Sequence, residues 1–131
     1  MYRMNIQHRK EWPLLIRLAQ ESSLENKERI RFLLALREVS SRREGKGLTG
    51  EEFGVKAVNG TNLEEQARWA IGTIKRNEKR YQEYVIKNGM VDFVSFFATL
   101  GGPYGKGWAT HNPVEFIRDM NYFINLIDKE I

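Results

Sequence analysis

Apolar residues recur at helical spacing along most of this chain. In the segment that opens with Trp12 and Pro13 they share one helix face: Leu14, Leu15, Leu18 and Ala19. Proline suits the first turn of a helix, because the N–H that it lacks would have no partner there. The next apolar set covers a broader arc: Ile30, Leu33, Leu34, Leu36 and Val39. That arc predicts a second helix that is buried on more than one side, and the capping-box sequence from Ser22 to Glu25 predicts where it begins.

Three more helices are predicted in the second half of the chain. A capping box at Thr61 to Glu64 opens the longest, which extends to about Val85 and spans roughly 35 Å. Asp92 is the expected cap of a short fourth helix that ends at Gly101. The last helix opens at a third capping box, Asn112 to Glu115, which has proline in the favoured place.

The helical spacing fails between residues 45 and 60. Glycine is concentrated there, at positions 45, 47, 50, 54 and 60. We expect a loop with at most a short β ribbon. The sequence therefore predicts a mainly α fold of about five helices, with residues 1–131 forming a single domain.

Composition narrows the class of protein. The chain has 131 residues, of which 41% are hydrophobic and 29% charged, as in a globular domain. The absence of cysteine excludes disulfides and thiolate chemistry. We expect no membrane span, because the apolar runs are short, and no signal peptide, because no apolar segment follows the N-terminus. A cytoplasmic protein is then expected, unless another route delivers it to the cell wall or into a virion.

The charge balance is mildly basic. Lys and Arg number 21 against 17 acidic residues, for a net charge of +4. This excess is typical of a solvated surface, but it also suits a polyanion such as nucleic acid or an anionic cell wall. Net charge does not choose between those polymers. The arginines are scattered over most helices, which disfavours nucleic acid.

Familiar chemical motifs are weak or missing. Gly45 to Gly50 matches the spacing of a dinucleotide loop, but a helix precedes it where a strand is needed. His8 and His111 are the only histidines, and neither has a carboxylate at ligand spacing nearby. We therefore expect neither a metal site nor a histidine-based triad, and we expect no cofactor.

The candidate chemistry lies where the second helix meets the glycine-rich segment. Glu38 falls in the last turns of that helix and Glu44 follows it. A half-buried carboxyl in such a place has its pKa raised by desolvation, and it can then protonate a leaving oxygen in glycoside hydrolysis. Two alternatives remain at this point. Glutamates near helix ends are commonly solvated, and Glu38 lies two helical turns from Arg31, so that an exposed ion-pair face is also consistent with the spacing.

Several longer segments match a known family in order and spacing: residues 52–58, 62–71, 77–81 and 92–97, then the Gly-Pro-Tyr-Gly sequence and Asn112-Pro113. On these, residues from about 24 to 131 resemble phage-type cell-wall hydrolases of the lysozyme-like superfamily, of the glucosaminidase and transglycosylase kind. The resemblance implies a lysozyme-like helical fold. It also implies a cleft for a β-1,4-linked amino-sugar polymer, with peptidoglycan as the expected partner.

The family pattern ends its second helix with Glu, then Ser or Asn, then Gly, and this chain departs from it. The ungapped equivalent here begins at Ser40 and contains no glutamate. A shift of two residues places Glu38 at the acid position, but it turns the side chain by about 200° around the helix. An insertion places Glu44 there instead. Either one is the candidate general acid.

Four further residues are candidates for substrate contact. Tyr104 and Trp108 are expected on the cleft floor, where aromatic faces stack on sugar rings, although packing within the loop would also explain them. Ser40 lies at the departing motif. Asn112 is first a helix cap, and any contact of its side chain with a ligand is secondary.

Three functions follow from these observations. The leading one is a phage-type glycosidase that cleaves β-1,4 linkages of peptidoglycan by general acid catalysis. The alternative is a non-catalytic relative, a virion or tail component or a wall-binding protein, whose partners include other virion proteins. The third is a helical nucleic-acid-binding protein.

Overall fold

A computed structural model describes residues 5–40, 53, 62–101 and 112–131, together with the backbone of residues 41–43. A single 3-10 turn at Arg9–Glu11 comes first. Five α-helices follow in the described residues: α1 Trp12–Glu21, α2 Lys27–Arg43, α3 Leu63–Asn88, α4 Phe93–Thr99 and α5 Pro113–Asp128. No strand occurs in these ranges. The prediction of a mainly α fold is confirmed. The expected loop or ribbon at 45–60 lies outside the described residues, except for Phe53, which is buried in a turn.

The capping box predicted at Ser22 to Glu25 is wrong, because this segment ends α1 and does not open α2. Ser23 has a φ of 66°, in the left-handed region. The N–H of Leu24 then donates to the carbonyl of Ala19 at 2.8 Å. This closure satisfies carbonyls at the end of α1 and turns the chain away from the helix axis.

Helix α2 begins instead after Asn26. The Asn26 side-chain oxygen accepts a hydrogen bond from the N–H of Glu28 at 2.8 Å. Asparagine is among the strongest helix caps, since its short side chain reaches the N–H groups that the first turn leaves unbonded. The helix therefore begins nearer to the apolar arc than the predicted capping box.

The other three helices begin at predicted capping sequences. In each case an Asn or Asp side chain accepts from the backbone N–H three residues later: Asn62 from Glu65 at 2.8 Å, Asp92 from Ser95 at 3.0 Å and Asn112 from Glu115 at 3.0 Å. Helix α3 runs beyond the predicted Val85, to Asn88. These starts depend on contacts within four residues, which is why the local sequence is sufficient to find them.

Gly101 follows α4 because the chain passes too close to α3 for any side chain. A Cβ atom at Gly101 would lie 2.0 Å from the Asn77 side-chain oxygen. The Phe96 carbonyl accepts from the N–H of Leu100 at 2.8 Å and from that of Gly101 at 2.7 Å. Close packing against Asn77, more than any special backbone angle, therefore requires glycine here.

Helix α2 is the centre of the fold and packs against α1, α3 and α5. Every residue from Phe32 to Ser40 is buried, so this half of the helix has no solvent face. Phe32 meets two rings of α4 edge-on, at centroid distances of 5.0 Å to Phe93 and 4.8 Å to Phe97. The broad apolar arc predicted from the sequence is confirmed as an all-round buried surface.

The core extends from Ile6, before the first helix, to Ile127 in α5 and takes residues from all five helices. Packing of α1 on α3 and of α4 on α5 completes it. Among the described residues, no helix combines the length and apolarity that crossing a membrane requires. That residues 1–131 form a single lysozyme-like domain stays a prediction.

Replacing Phe97 with alanine tests this arrangement of the core. Its side chain is fully buried, so the truncation should lower the free energy of unfolding by about 3–5 kcal/mol. Denaturant unfolding followed by circular dichroism measures the change. The matched control is Val114→Ala on α5, where the side chain is 78% exposed and a change within about 0.5 kcal/mol is expected. Equal effects of the two substitutions would contradict the packing described.

Candidate functional site

The carboxylate of Glu38 is enclosed at the end of α2 by the segment that precedes the first helix. Its side chain has no exposed surface. Oε1 accepts hydrogen bonds from two consecutive backbone N–H groups, those of Gln7 at 2.9 Å and His8 at 2.8 Å. Oε2 lies 3.1 Å from Nδ1 of the His8 ring. We call residues 5–8 the N-terminal segment. It lies across Glu38 and separates it from solvent.

These contacts set the direction of the Glu38 pKa. Burial is the largest single influence and acts to raise the pKa, but the hydrogen bonds from His8 and Gln7 and the electrostatic attraction of His8 together outweigh it. The pKa of Glu38 is therefore lowered from its ordinary value of 4.5. Desolvation does act in the predicted direction, but the net shift of the Glu38 pKa is opposite to the predicted one. A carboxylate in this state accepts hydrogen bonds at neutral pH and has no proton to donate.

The alternative of an exposed ion-pair face is also wrong. Glu38 is buried, and Arg31 pairs with Asp128 of α5 at 3.0 Å. The spacing of two helical turns does not bring Glu38 and Arg31 together, because α2 is covered by different elements along its length.

His8 is the neighbour of Glu38 that the sequence did not predict. The two residues lie 30 positions apart in the chain, whereas sequence spacing indicates contacts only between residues close in the chain. The available signal was Glu38 itself, an acidic residue between Leu36 and Val39 in the broad apolar arc. A buried carboxylate must find a partner inside the protein, and His8 is one of the two histidines that the chain offers.

A second buried ion pair reinforces this junction. Arg37, 7% exposed, donates from Nε and Nη2 to the two carboxylate oxygens of Glu11 at 2.7 and 2.9 Å. This two-point geometry holds a guanidinium and a carboxylate in one plane. Arg37 and Glu38 are adjacent in α2, and both are paired with residues that precede α1: Arg37 with Glu11, and Glu38 with the N-terminal segment.

Of the other five predicted site residues, the structure describes two, Ser40 and Asn112. Ser40 is buried, and it lies about 200° around the helix from Glu38, so the two side chains leave different faces of α2. Asn112 is exposed and caps α5, as predicted. Glu44, Tyr104 and Trp108 lie outside the described residues. The catalytic role of Glu44 stays a prediction. So do the substrate contacts of the other four residues.

The family-like segment 77–81 contributes packing. Asn77 is buried and donates to the Thr73 carbonyl at 2.9 Å. The Tyr81 hydroxyl donates to the carbonyl of Val91 at 2.6 Å, and this bond ties α3 to the chain before α4.

Glu78, in the same segment, receives Arg29 of α2 in an ion pair. The Arg29 guanidinium also lies 3.8 Å from the centroid of the Phe93 ring, within the range of a cation–π contact. Glu78 and Tyr81 therefore hold α3 against α2 and against the chain before α4.

Two grooves open on the described surface, away from Glu38. One, of about 280 Å³, lies between α2, α4 and α5, with Arg31, Phe93 and Asn125 in its wall. The other, of about 260 Å³, runs along the outer side of α3 at Trp69. Within the ranges that the structure describes, no three His, Asp or Glu side chains are grouped closely enough to hold a metal ion.

The ionised state of Glu38 makes the stability of the protein depend on pH. A group whose pKa is lower in the folded than in the unfolded protein stabilises the fold above its unfolded pKa, and this stabilisation is lost as the pH falls through the folded pKa. For Glu38 the loss begins below about 4.5. Glu38→Gln removes the charge that strengthens these hydrogen bonds and should cost about 1.5–3 kcal/mol near neutral pH.

Urea unfolding of wild type and Glu38→Gln from about pH 7 to about pH 3 measures this effect. The difference between the two proteins should be largest near neutral pH and shrink in the acid range. Glu28→Gln is the matched control on α2, since the Glu28 side chain is 77% exposed. A Glu38→Gln protein as stable as wild type at neutral pH would refute the anchoring role.

Comparison of the chain with family models, with curated proteins and with solved structures gave no match in any of the three.

Proposed function

We propose that this chain is a cell-wall glycosidase that cleaves β-1,4 linkages of peptidoglycan, and that Glu44 is its general acid. Glu44 is chosen because α2 ends at Arg43, one residue before Glu44 and the glycine-rich segment. In the family that the sequence resembles, the acid lies at the exit of the second helix. Glu44 is the acidic residue of this chain that comes next after the exit.

The state of Glu38 supports the same choice. General acid catalysis at neutral pH needs a carboxyl whose pKa is raised, so that the proton is still present when the leaving oxygen needs it. The contacts of Glu38 lower its pKa, and its carboxylate has no exposed surface for a sugar to reach. Glu38 is a positioning residue in this proposal, because it anchors the last turns of the helix that leads to Glu44.

A non-catalytic, wall-binding or virion-structural protein is the second candidate. The same burial of Glu38 favours it, because the one candidate acid that the structure describes is committed to holding the fold together. The missing Glu-Ser-Gly sequence points the same way.

Nucleic-acid binding has less support in the described residues. Seven of their arginines pair with carboxylates of the same chain: Arg9, Arg17, Arg29, Arg31, Arg37, Arg68 and Arg118. A guanidinium that is already neutralised contributes little to the binding of a polyphosphate backbone.

Release of muropeptides from purified cell walls tests the catalytic proposal. Glu44→Gln should lower the rate of release by about 100-fold or more while the melting temperature stays unchanged, since a lost general acid removes that much rate. Glu28→Gln is the matched control on an exposed glutamate and should retain the full rate.

The other outcomes separate the candidates. A Glu44→Gln protein that cuts walls at the wild-type rate would show that Glu44 is not the acid. A wild type that binds walls and releases nothing would replace the enzyme with the wall-binding protein.

A further inference from the structure

Trp69 on α3 lies at the protein surface. It is 43% exposed, whereas Trp12 is 8% exposed and belongs to the core. A surface tryptophan presents a flat apolar face on which a ring of a ligand can pack. Trp69 borders the groove of about 260 Å³ whose wall is formed by Glu65, Arg68, Gly72 and Arg76. We call these five residues the Trp69 groove.

The Trp69 groove follows one stripe of the helix surface. Its residues recur at intervals of three and four, the spacing at which side chains of a helix are neighbours. The residues that face the core from α3 lie on another stripe, among them Ala70, Ile71 and Ile74. The groove is therefore a surface that the packing of α3 leaves open.

Gly72 holds the guanidinium of Arg76 close to the helix. A Cβ atom at Gly72 would lie 3.3 Å from Nη1 of Arg76, so the guanidinium lies where a side chain would otherwise stand. Arg76 Nη2 donates to the Thr73 hydroxyl at 3.3 Å, and that hydroxyl donates to the Trp69 carbonyl at 3.1 Å. The guanidinium is thus turned back along the exposed helix surface toward Trp69.

Charge in the groove favours a ligand with a carboxylate. Arg68 is paired with Glu64 at 3.0 Å, but among the described residues Arg76 has no carboxylate partner. An oriented guanidinium with free N–H donors binds a carboxylate through two parallel hydrogen bonds. Glu65, on the same groove, accepts hydrogen bonds from hydroxyl or amide N–H groups.

Size and shape favour a single ring. A volume of about 260 Å³ is below the roughly 300–1,000 Å³ of sites for drug-sized ligands. The exposed indole face offers a flat apolar platform, and Gly72 leaves the helix beside it without a side chain. A sugar ring meets both requirements with its C–H face on the indole and its polar groups toward Arg76 and Glu65.

We infer that the Trp69 groove binds an amino-sugar ring of a glycan polymer together with a carboxylate that is carried next to that ring, away from the site of cleavage. The polymer is the one named in the proposed function, on which this inference rests for the identity of the ligand. The groove keeps the enzyme on an insoluble wall between cuts. Trp69 supplies the platform, Arg76 holds the carboxylate and Gly72 keeps both accessible.

Binding to insoluble polymers, measured on ice by co-sedimentation, tests the inference. The probes are peptidoglycan sacculi stripped of accessory polymers, which carry carboxylates, and chitin, which is an uncharged amino-sugar polymer. Trp69→Ala should weaken binding to both by about tenfold. Arg76→Gln should weaken binding to sacculi and leave binding to chitin unchanged, because it removes the carboxylate contact alone.

Tyr122→Ala is the matched control, since Tyr122 is an exposed aromatic residue on another helix, at 38%. It should bind both polymers as wild type does. Circular dichroism and melting temperature establish that each variant is folded. Sacculi binding that is unchanged in Trp69→Ala and Arg76→Gln would overturn the inference. So would tighter, Trp69-dependent binding to single-stranded DNA.

Binding and cleavage are separate readouts in this experiment. Trp69-dependent binding without release of muropeptides would support the proposed binding groove and refute the proposed glycosidase activity. If Trp69→Ala binds sacculi as wild type does and releases muropeptides at the wild-type rate, the proposed groove is refuted and the proposed glycosidase activity is supported. Performing the binding measurements also with Glu44→Gln keeps the sacculi intact throughout.

Discussion

A carboxylate that is cut off from water must be neutralised inside the protein, and the burial of Glu38 imposes this constraint on everything around it. Two backbone N–H groups and the His8 ring, all from the N-terminal segment, interact with the carboxylate. The buried charge of Arg37, the preceding residue, is neutralised by Glu11. The chain before α1 and the end of α2 are therefore joined by two buried pairs. The direction in which α2 leaves the core follows from that junction.

The same constraint separates anchoring from catalysis. An anchoring carboxylate is stabilised in its charged form, which lowers its pKa, whereas a general acid needs its neutral form to persist, which requires a raised pKa. One glutamate does not satisfy both conditions at the same pH. In the proposed glycosidase the two tasks fall to two residues. Glu38 holds the helix in place, and Glu44, which follows the end of that helix in the chain, supplies the proton.

Helix α3 divides its tasks between its faces. Its inner side carries small and branched residues into the core, and the segment 77–81 ties it to α2 and α4 through Asn77, Glu78 and Tyr81. Those residues were part of the resemblance to wall hydrolases, and their contacts show that a shared motif need not be a binding motif. The outer side carries Trp69, which is 43% exposed, and Arg76, which has no carboxylate partner among the described residues. Surface residues without a structural task are better candidates for recognition than residues that the fold needs.

The sequence by itself determined where most helices begin and which of their faces are apolar. Caps such as Asn62, Asp92 and Asn112 act on N–H groups within the next four residues, and apolar periodicity is equally local. The start of α2 escaped prediction because the predicted capping box, Ser22 to Glu25, closes α1 instead. Only the tertiary structure decided that Glu38 meets His8, that its pKa falls, and that Arg31 turns to Asp128 instead. Those outcomes depend on which distant segment packs over the end of a helix, and a pair separated by 30 residues leaves no periodic trace in the chain.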